Sequence, residues 1–407
     1  MKYVNEFDGL RGLMAVWVLL GHWASTVEAS SRLFKSALFN HEAVTVFVIL
    51  SGFAIAAMTD TKKDGYVLYI QRRVLRIFPV YLLFFLASVL VAPAALETWI
   101  AAPDGSMKDV RVQIASDTLV YWPYHLAAHI PALHGLIPPR LLPSTDTAFL
   151  GQAWSISLEW QFYLVAPAMI ALIVGKWPVA KVAVILASVS VAMIVSRWMP
   201  GGFIGRSLHD FIIGICSYYF LKQRMLGTSI FQAVPILQAW LAIVTVGLLA
   251  SPIGALPYII WATTIAAIVA FRENRSGAPE WLCLLLLSRP FQWVGRMAYS
   301  VYLSHMLVLI AGLNLLAALK IESKVIYAIA LLAFVLFGTL VVSFASYRLV
   351  EMPFHNLGRR LGQKRSRQSP ERDGSDVKPQ DFANSSRYGA TGSIGTPLVQ
   401  PDEQRTF

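Results

Sequence analysis

The chain has 407 residues, 56% of them hydrophobic and 14% charged, with a formal charge of +11. A soluble domain carries about a quarter charged residues, so this composition excludes an ordinary soluble protein and selects a membrane one. Basic loops on the cytoplasmic side of a membrane account for the positive charge, and no nucleic-acid partner is implied.

Apolar runs suited to spans of about 17–25 residues lie near 8–27, 41–59, 74–93, 152–175, 179–198, 206–222, 234–251, 254–271, 295–319 and 325–350. The first run holds Arg11 and His22 and has no small-residue cleavage site, so it reads as a retained helix rather than a signal peptide. Lys62, Lys63, Arg72 and Arg73 lie between runs two and three, Lys176 and Lys181 between four and five, and Lys222 and Arg224 after six. Arg272, Arg275 and Arg289 follow run eight, and Arg359, Arg360, Lys364, Arg365 and Arg367 follow run ten. All fall on one side if the span number is even and both termini are cytoplasmic. The expected fold is therefore all-α: a polytopic transmembrane helical bundle of about ten spans, multi-pass in the inner (plasma) membrane, with both termini in the cytoplasm.

The stretch 96–150 is too polar and too rich in proline to cross a bilayer. It is expected outside the cytoplasm, with a short interfacial helix near 114–126 and with Trp99, Tyr121, Trp122 and Tyr124 at headgroup level. Residues 1–356 form the expected transmembrane domain. From about Gln363 the composition turns to Ser, Gly, Pro, Arg and Asp, and residues 357–407 read as a disordered cytoplasmic tail. Cys216 and Cys283 have apolar neighbours and no metal-like spacing, so neither a disulfide framework nor a metal is predicted.

Ionisable side chains inside apolar spans are costly unless paired or wet, which makes them functional candidates. Arg11 and His22 are eleven residues apart, which on a helix puts them within roughly 20° of one face and about 16 Å apart. Asp8 stands three residues before Arg11 and can pair with it. A histidine merely satisfied by a neighbour is the alternative for His22. Arg73 and Arg76 share a face at the start of run three, in good spacing for phosphate or carboxylate oxygens. Ordinary positive-inside charge is the alternative there, and it suits Arg76 poorly because IFPVYLLFF follows. Glu159 sits early in WSISLEWQFYLVAP and should face a cavity or a basic partner, with an interfacial residue reaching back to water as the alternative. His305, in YSVYLSHMLVL, reads first as an inter-helix hydrogen-bonding residue. A Gly-rich GxxxxGK[ST] loop and a GxSxG serine motif are both missing. The available machinery is histidine, arginine and carboxylate.

Six blocks occur in a telling order: FDGLRGLMAVWVLLGHW (7–23), VFVILSGFAI (46–55), RRVLRIFPVY (72–81), WSISLEWQFYLVAP (154–167), YSVYLSHM (299–306) and YRLVEMPF (347–354). Together they resemble the acyltransferase-3 family, integral membrane enzymes that acylate surface carbohydrates, and the likeness runs to about residue 360. The resemblance implies that Arg11 and His22 form the family's arginine–histidine motif, with His22 essential for transfer. It implies that Arg73 and Arg76 handle the acyl donor, commonly acyl-CoA such as acetyl-CoA from the cytoplasm. Ser51 and Gly52 match the family's SGF block, Glu159 the tryptophan–serine block, and Glu351 the closing glutamate–x–proline motif. The chain departs from the pattern where many relatives carry an aspartate six residues before the SGF serine. It has Thr45 there, with Glu42 one turn earlier, and Phe47–Val48 in place of two phenylalanines.

The resemblance implies an enzyme that moves an acyl group, typically acetyl, from acyl-CoA to a hydroxyl of a lipid-linked or surface polysaccharide. His22 would act either as general base or as a nucleophile that carries the acyl group, with Asp8, Arg11 and Glu159 in support and Ser51 beside the donor. The partners implied are the lipid bilayer, acyl-CoA and a carbohydrate, which aromatics of the 96–150 loop could stack against. Small-molecule acceptors and succinyl donors occur in the same family. A secondary transporter is the alternative from another class, since it too needs buried His, Arg and Glu.

Overall fold

A computed structural model describes residues 4–27, 40–62, 64–174, 179–225, 254–273 and 277–368, with isolated positions between 241 and 249. The described residues form helices and connecting turns without strands. Five helices among them are long and apolar enough to cross a membrane: His41–Thr61, Tyr66–Ala101, Gly151–Ile173, Ala298–Ala318 and Lys324–Gly362. The chain is accordingly a helical membrane protein.

In chain order the helices are α1 Glu6–Ala24, α2 Asn40–Thr61, α3 Tyr66–Ala101, α4 Lys108–Val120, α5 Trp122–His129, α6 Trp154–Ile173 and α7 Val179–Val195. They continue as α8 Leu208–Met225, α9 Leu256–Arg272, α10 Ala278–Leu286, α11 Arg289–Arg296, α12 Ala298–Ala318, α13 Lys324–Ser346 and α14 Met352–Gln368. A π-helical turn, Tyr347–Glu351, joins the last two. Nine of the expected spans fall on helices, several of them shorter or more charged than the five above. The span expected near 234–251 lies largely outside the described residues.

Two expectations need correction. The third span is 36 residues long, about 54 Å at 1.5 Å per residue, and so outreaches a hydrocarbon core of about 30 Å. The single interfacial helix near 114–126 is two helices, because Pro123 at the first turn of α5 suits a new helix start and cannot continue the ladder of α4. The last helix runs on to Gln368, past the expected domain boundary at 357, and the rest of the expected tail lies outside the described residues.

The helices approach closely where glycines face backbone. A Cβ on Gly52 would stand 2.3 Å from the Phe211 carbonyl oxygen, and one on Gly214 would stand 2.0 Å from that of Ile49. α2 and α8 therefore cross at a distance only glycine permits. α1 meets α11 in the same way, with Gly12 against Phe291 and Gly295 against Asp8. The glycines of FDGLRG and SGF thus seat α1 and α2 in the bundle. The core between them is aromatic: Phe7 stacks on Trp261 at 5.3 Å, and Phe53 meets Tyr218 edge-on at 5.4 Å.

The 96–150 stretch folds back onto α3. The Tyr81 hydroxyl donates to the His129 carbonyl at 2.7 Å, and the His129 ring lies between Phe85, at 5.7 Å, and His134, at 3.9 Å. Tyr121, Trp122 and Tyr124 are exposed, as expected of interfacial aromatics, whereas Trp99 is buried beneath Arg111.

Candidate active site

α1 carries Asp8 and Arg11 near its first turn and His22 near its last. Arg11 donates to Asp8 at 3.0 Å, the pairing their spacing suggested. At the far end the His22 ring lies 5.0 Å from that of His305, delivered by α12. His305 Nδ1 is 3.3 Å from the Val301 carbonyl. A carbonyl only accepts, so Nδ1 carries the hydrogen and Nε2 of the neutral ring holds a lone pair. That Nε2 is buried and has no hydrogen-bond partner. His22 itself remains partly exposed. Two imidazoles therefore lie side by side, one with a buried, unpartnered basic nitrogen and one belonging to a partly exposed residue.

Arg111 closes this end. It arrives from α4 and bonds Thr26, the Ser25 hydroxyl at 2.7 Å and the His22 carbonyl at 3.3 Å. Its guanidinium stacks over Trp99 at 4.7 Å. Burial pushes the guanidinium down to about 10, which leaves it charged at neutral pH. A cation on the last carbonyls of a helix complements its dipole. Nothing in the local pattern around Arg111 signals that the loop folds back to the end of α1.

Tyr302, one turn before His305, ties the same helix to α6. Ser155 donates to the Tyr302 hydroxyl at 2.8 Å, and that hydroxyl donates to the Gln152 carbonyl at 3.2 Å. Gln152 in turn donates to the Leu303 carbonyl at 2.8 Å.

The other candidates gather nearer the basic end of the bundle. Ser51 donates to Glu159 at 3.1 Å, and Tyr163 donates to the same carboxylate. Arg73 lies over the Tyr163 ring at 5.4 Å. Arg76 pairs with Glu351 at 2.5 Å, and Ser300 donates to the other Glu351 oxygen at 2.7 Å. The Glu351 side chain is 2% exposed and that of Arg76 is 37% exposed, so the pair has one wet side. Tyr299, beneath Arg76 at 5.7 Å, lies within electrostatic reach of Glu159, Glu351 and Tyr163. At the rim, burial together with Arg72 and Arg73 pushes the Lys62 ammonium below its usual value, the sign of a concentrated positive potential.

The candidates thus form two groups linked by α12, which bears Tyr299 and Ser300 for one and Tyr302 and His305 for the other. Ser51, placed with the donor by resemblance, touches Glu159, whose partner Tyr163 lies beneath Arg73. Thr45 bonds back to the His41 carbonyl at 3.0 Å, and Glu42 keeps one buried oxygen without a hydrogen bond. Among the described residues no three His, Cys, Asp or Glu side chains converge as metal ligands.

Residues 4–348 match the family model of an acyltransferase domain, nearly the whole described chain. The chain belongs to the acyltransferase-3 family. Among curated relatives of this acyltransferase-3 protein is Acyltransferase MdmB of Streptomyces mycarofaciens, 28% identical over 202 residues. The match covers 46% of this chain and 44% of that relative's length. No solved structure matches the chain.

Proposed function

We propose that this acyltransferase-3 protein moves an acyl group, with acetyl as the first candidate, from cytoplasmic acyl-CoA to a hydroxyl of a lipid-linked or surface carbohydrate. The proposed setting is the inner membrane, with about ten spans and both termini cytoplasmic. The basic end then faces the cytoplasm and Arg111 the outer side. The observation that best supports this reading is the apposed pair His22 and His305 at 5.0 Å, with the Arg76–Glu351 pair tied to the same helix, α12, at Tyr299 and Ser300.

Arg73 and Arg76 hold donor phosphates, and Glu351 orients Arg76. In the direct route an imidazole takes the proton of the acceptor hydroxyl as its oxygen attacks the thioester carbonyl. The C–S bond then breaks, and the thiolate leaves with the proton returned by the imidazolium. In the relayed route His22 itself attacks, CoA leaves, and His305 takes the acceptor's proton when the acyl-imidazole is opened. Both routes use neutral imidazole, so transfer falls on acidification.

The test uses inner membranes containing the full chain, radiolabelled acetyl-CoA and the host's lipid-linked sugars. Label should enter a glycolipid with the native protein and not with His22→Ala. Equal labelling by the folded variant sinks both routes.

A further inference from the structure

We propose that a groove at the basic end binds the phosphate headgroup of an anionic phospholipid. This goes beyond the acyl-transfer reading and rests only on the chain being a membrane protein. The groove has a volume of about 230 Å³ and lies between α11, the end of α13 and the π-helical turn. Trp293, Arg296, Phe344, Tyr347 and Arg348 line it.

Three observations point to this occupant. Among the described residues neither Arg296 nor Arg348 has a carboxylate partner, unlike Arg11, Arg72, Arg76, Arg224 and Arg272. Two exposed guanidiniums on one concavity make a phosphate clamp. Arg348 is pre-oriented over the Phe344 ring at 5.4 Å, and Trp293 meets the same ring at 6.2 Å. Finally, the flank is apolar and exposed: Val341, Val342, Phe344 and Leu349 follow one another along the helix. Such a strip beside water is unfavourable, but beside acyl chains it is natural, with Trp293 at headgroup level. Charge and apolar surface together fit a lipid rather than a soluble anion.

The π-helical turn explains why both faces can be used. Its extra residue per turn lets Glu351 point inward to Arg76 while Arg348, three residues earlier, points to the groove. π turns of this kind recur at functional sites.

The experiment is native mass spectrometry of the full chain in detergent, titrated with phosphatidylglycerol or phosphatidylcholine. One phosphatidylglycerol should be retained, and phosphatidylcholine should not. Affinity should fall about fivefold in Arg348→Gln and about thirtyfold in the Arg296→Gln/Arg348→Gln double variant, as expected for loss of one and two cationic contacts. Both side chains are exposed, and circular dichroism checks that the variants keep their helices. Unchanged retention by the double variant overturns the proposal. Displacement by acetyl-CoA would also overturn it, giving the groove to the donor, and so would displacement by inorganic phosphate alone, giving it to a soluble anion.

Discussion

Two clusters of histidine lie in this bundle, and they differ in what surrounds them. His125, His129 and His134 are fully buried among Phe85, Phe149 and one another. His134 Nε2 meets the Ala153 carbonyl at 3.0 Å, and burial pushes that imidazole down to about 4, so it stays neutral at working pH. His22 and His305 have fewer aromatic walls, a cation on the adjacent helix end, and one partly exposed ring. Burial alone makes a histidine neutral and rigid. Unpartnered ring nitrogens occur in both clusters, on His125, His129 and His134 as on His305; what the α1–α12 pair adds is the partly exposed His22 beside the buried His305.

The sharpest way to break this contrast is His22→Ala. Transfer should drop by about 10²–10⁴, the usual share of an acid–base residue, with the thermal midpoint nearly unchanged. Next comes Arg76→Gln, which should raise the KM for acetyl-CoA and also lower Tm, because it strands Glu351. The loss should be smaller than the ~3–5 kcal/mol of a fully buried broken pair, since Arg76 is 37% exposed. Adding Glu351→Gln should restore Tm and leave KM high. A Tm and KM that recover together would reduce the pair to scaffolding.

His305→Gln should slow transfer by about 10²-fold at saturating donor, the lower end of what general-base catalysis contributes. A variant as fast as native would leave His22 working alone. The smallest effect on rate is expected from His134→Phe. It removes one buried hydrogen bond and leaves the Ala153 carbonyl unpaired, about 1–3 kcal/mol of stability, with rate per folded molecule intact. Loss of transfer by folded His134→Phe would erase the distinction between the two clusters.

Much of the site was legible because local spacing carried it. Asp8, Arg11 and His22 share one helix, so 3.6-residue periodicity alone put Asp8 beside Arg11. Arg73 and Arg76 likewise share one face of α3. His305 was legible as a buried histidine but read first as a packing group, since its sequence neighbours say nothing about the ring opposite it. Trp99 reads from sequence as an interfacial aromatic, and nothing in the pattern around Arg111 pairs the two. They are instead a stacked buried pair, because α4 turns back over the end of α1.

The sequence by itself determined a helical membrane chain, its family and most candidate residues. These follow from composition, from apolar run length and from order along the chain, all of which are local. Only the tertiary structure decided that Glu351 completes Arg76 across 275 residues of chain, that Ser51 meets Glu159 across 108, and that His305 meets His22. Such pairings depend on how close two helices come and how each is rotated. In this bundle backbone contacts at Gly12, Gly52, Gly214 and Gly295 set that approach, and no helical period encodes it.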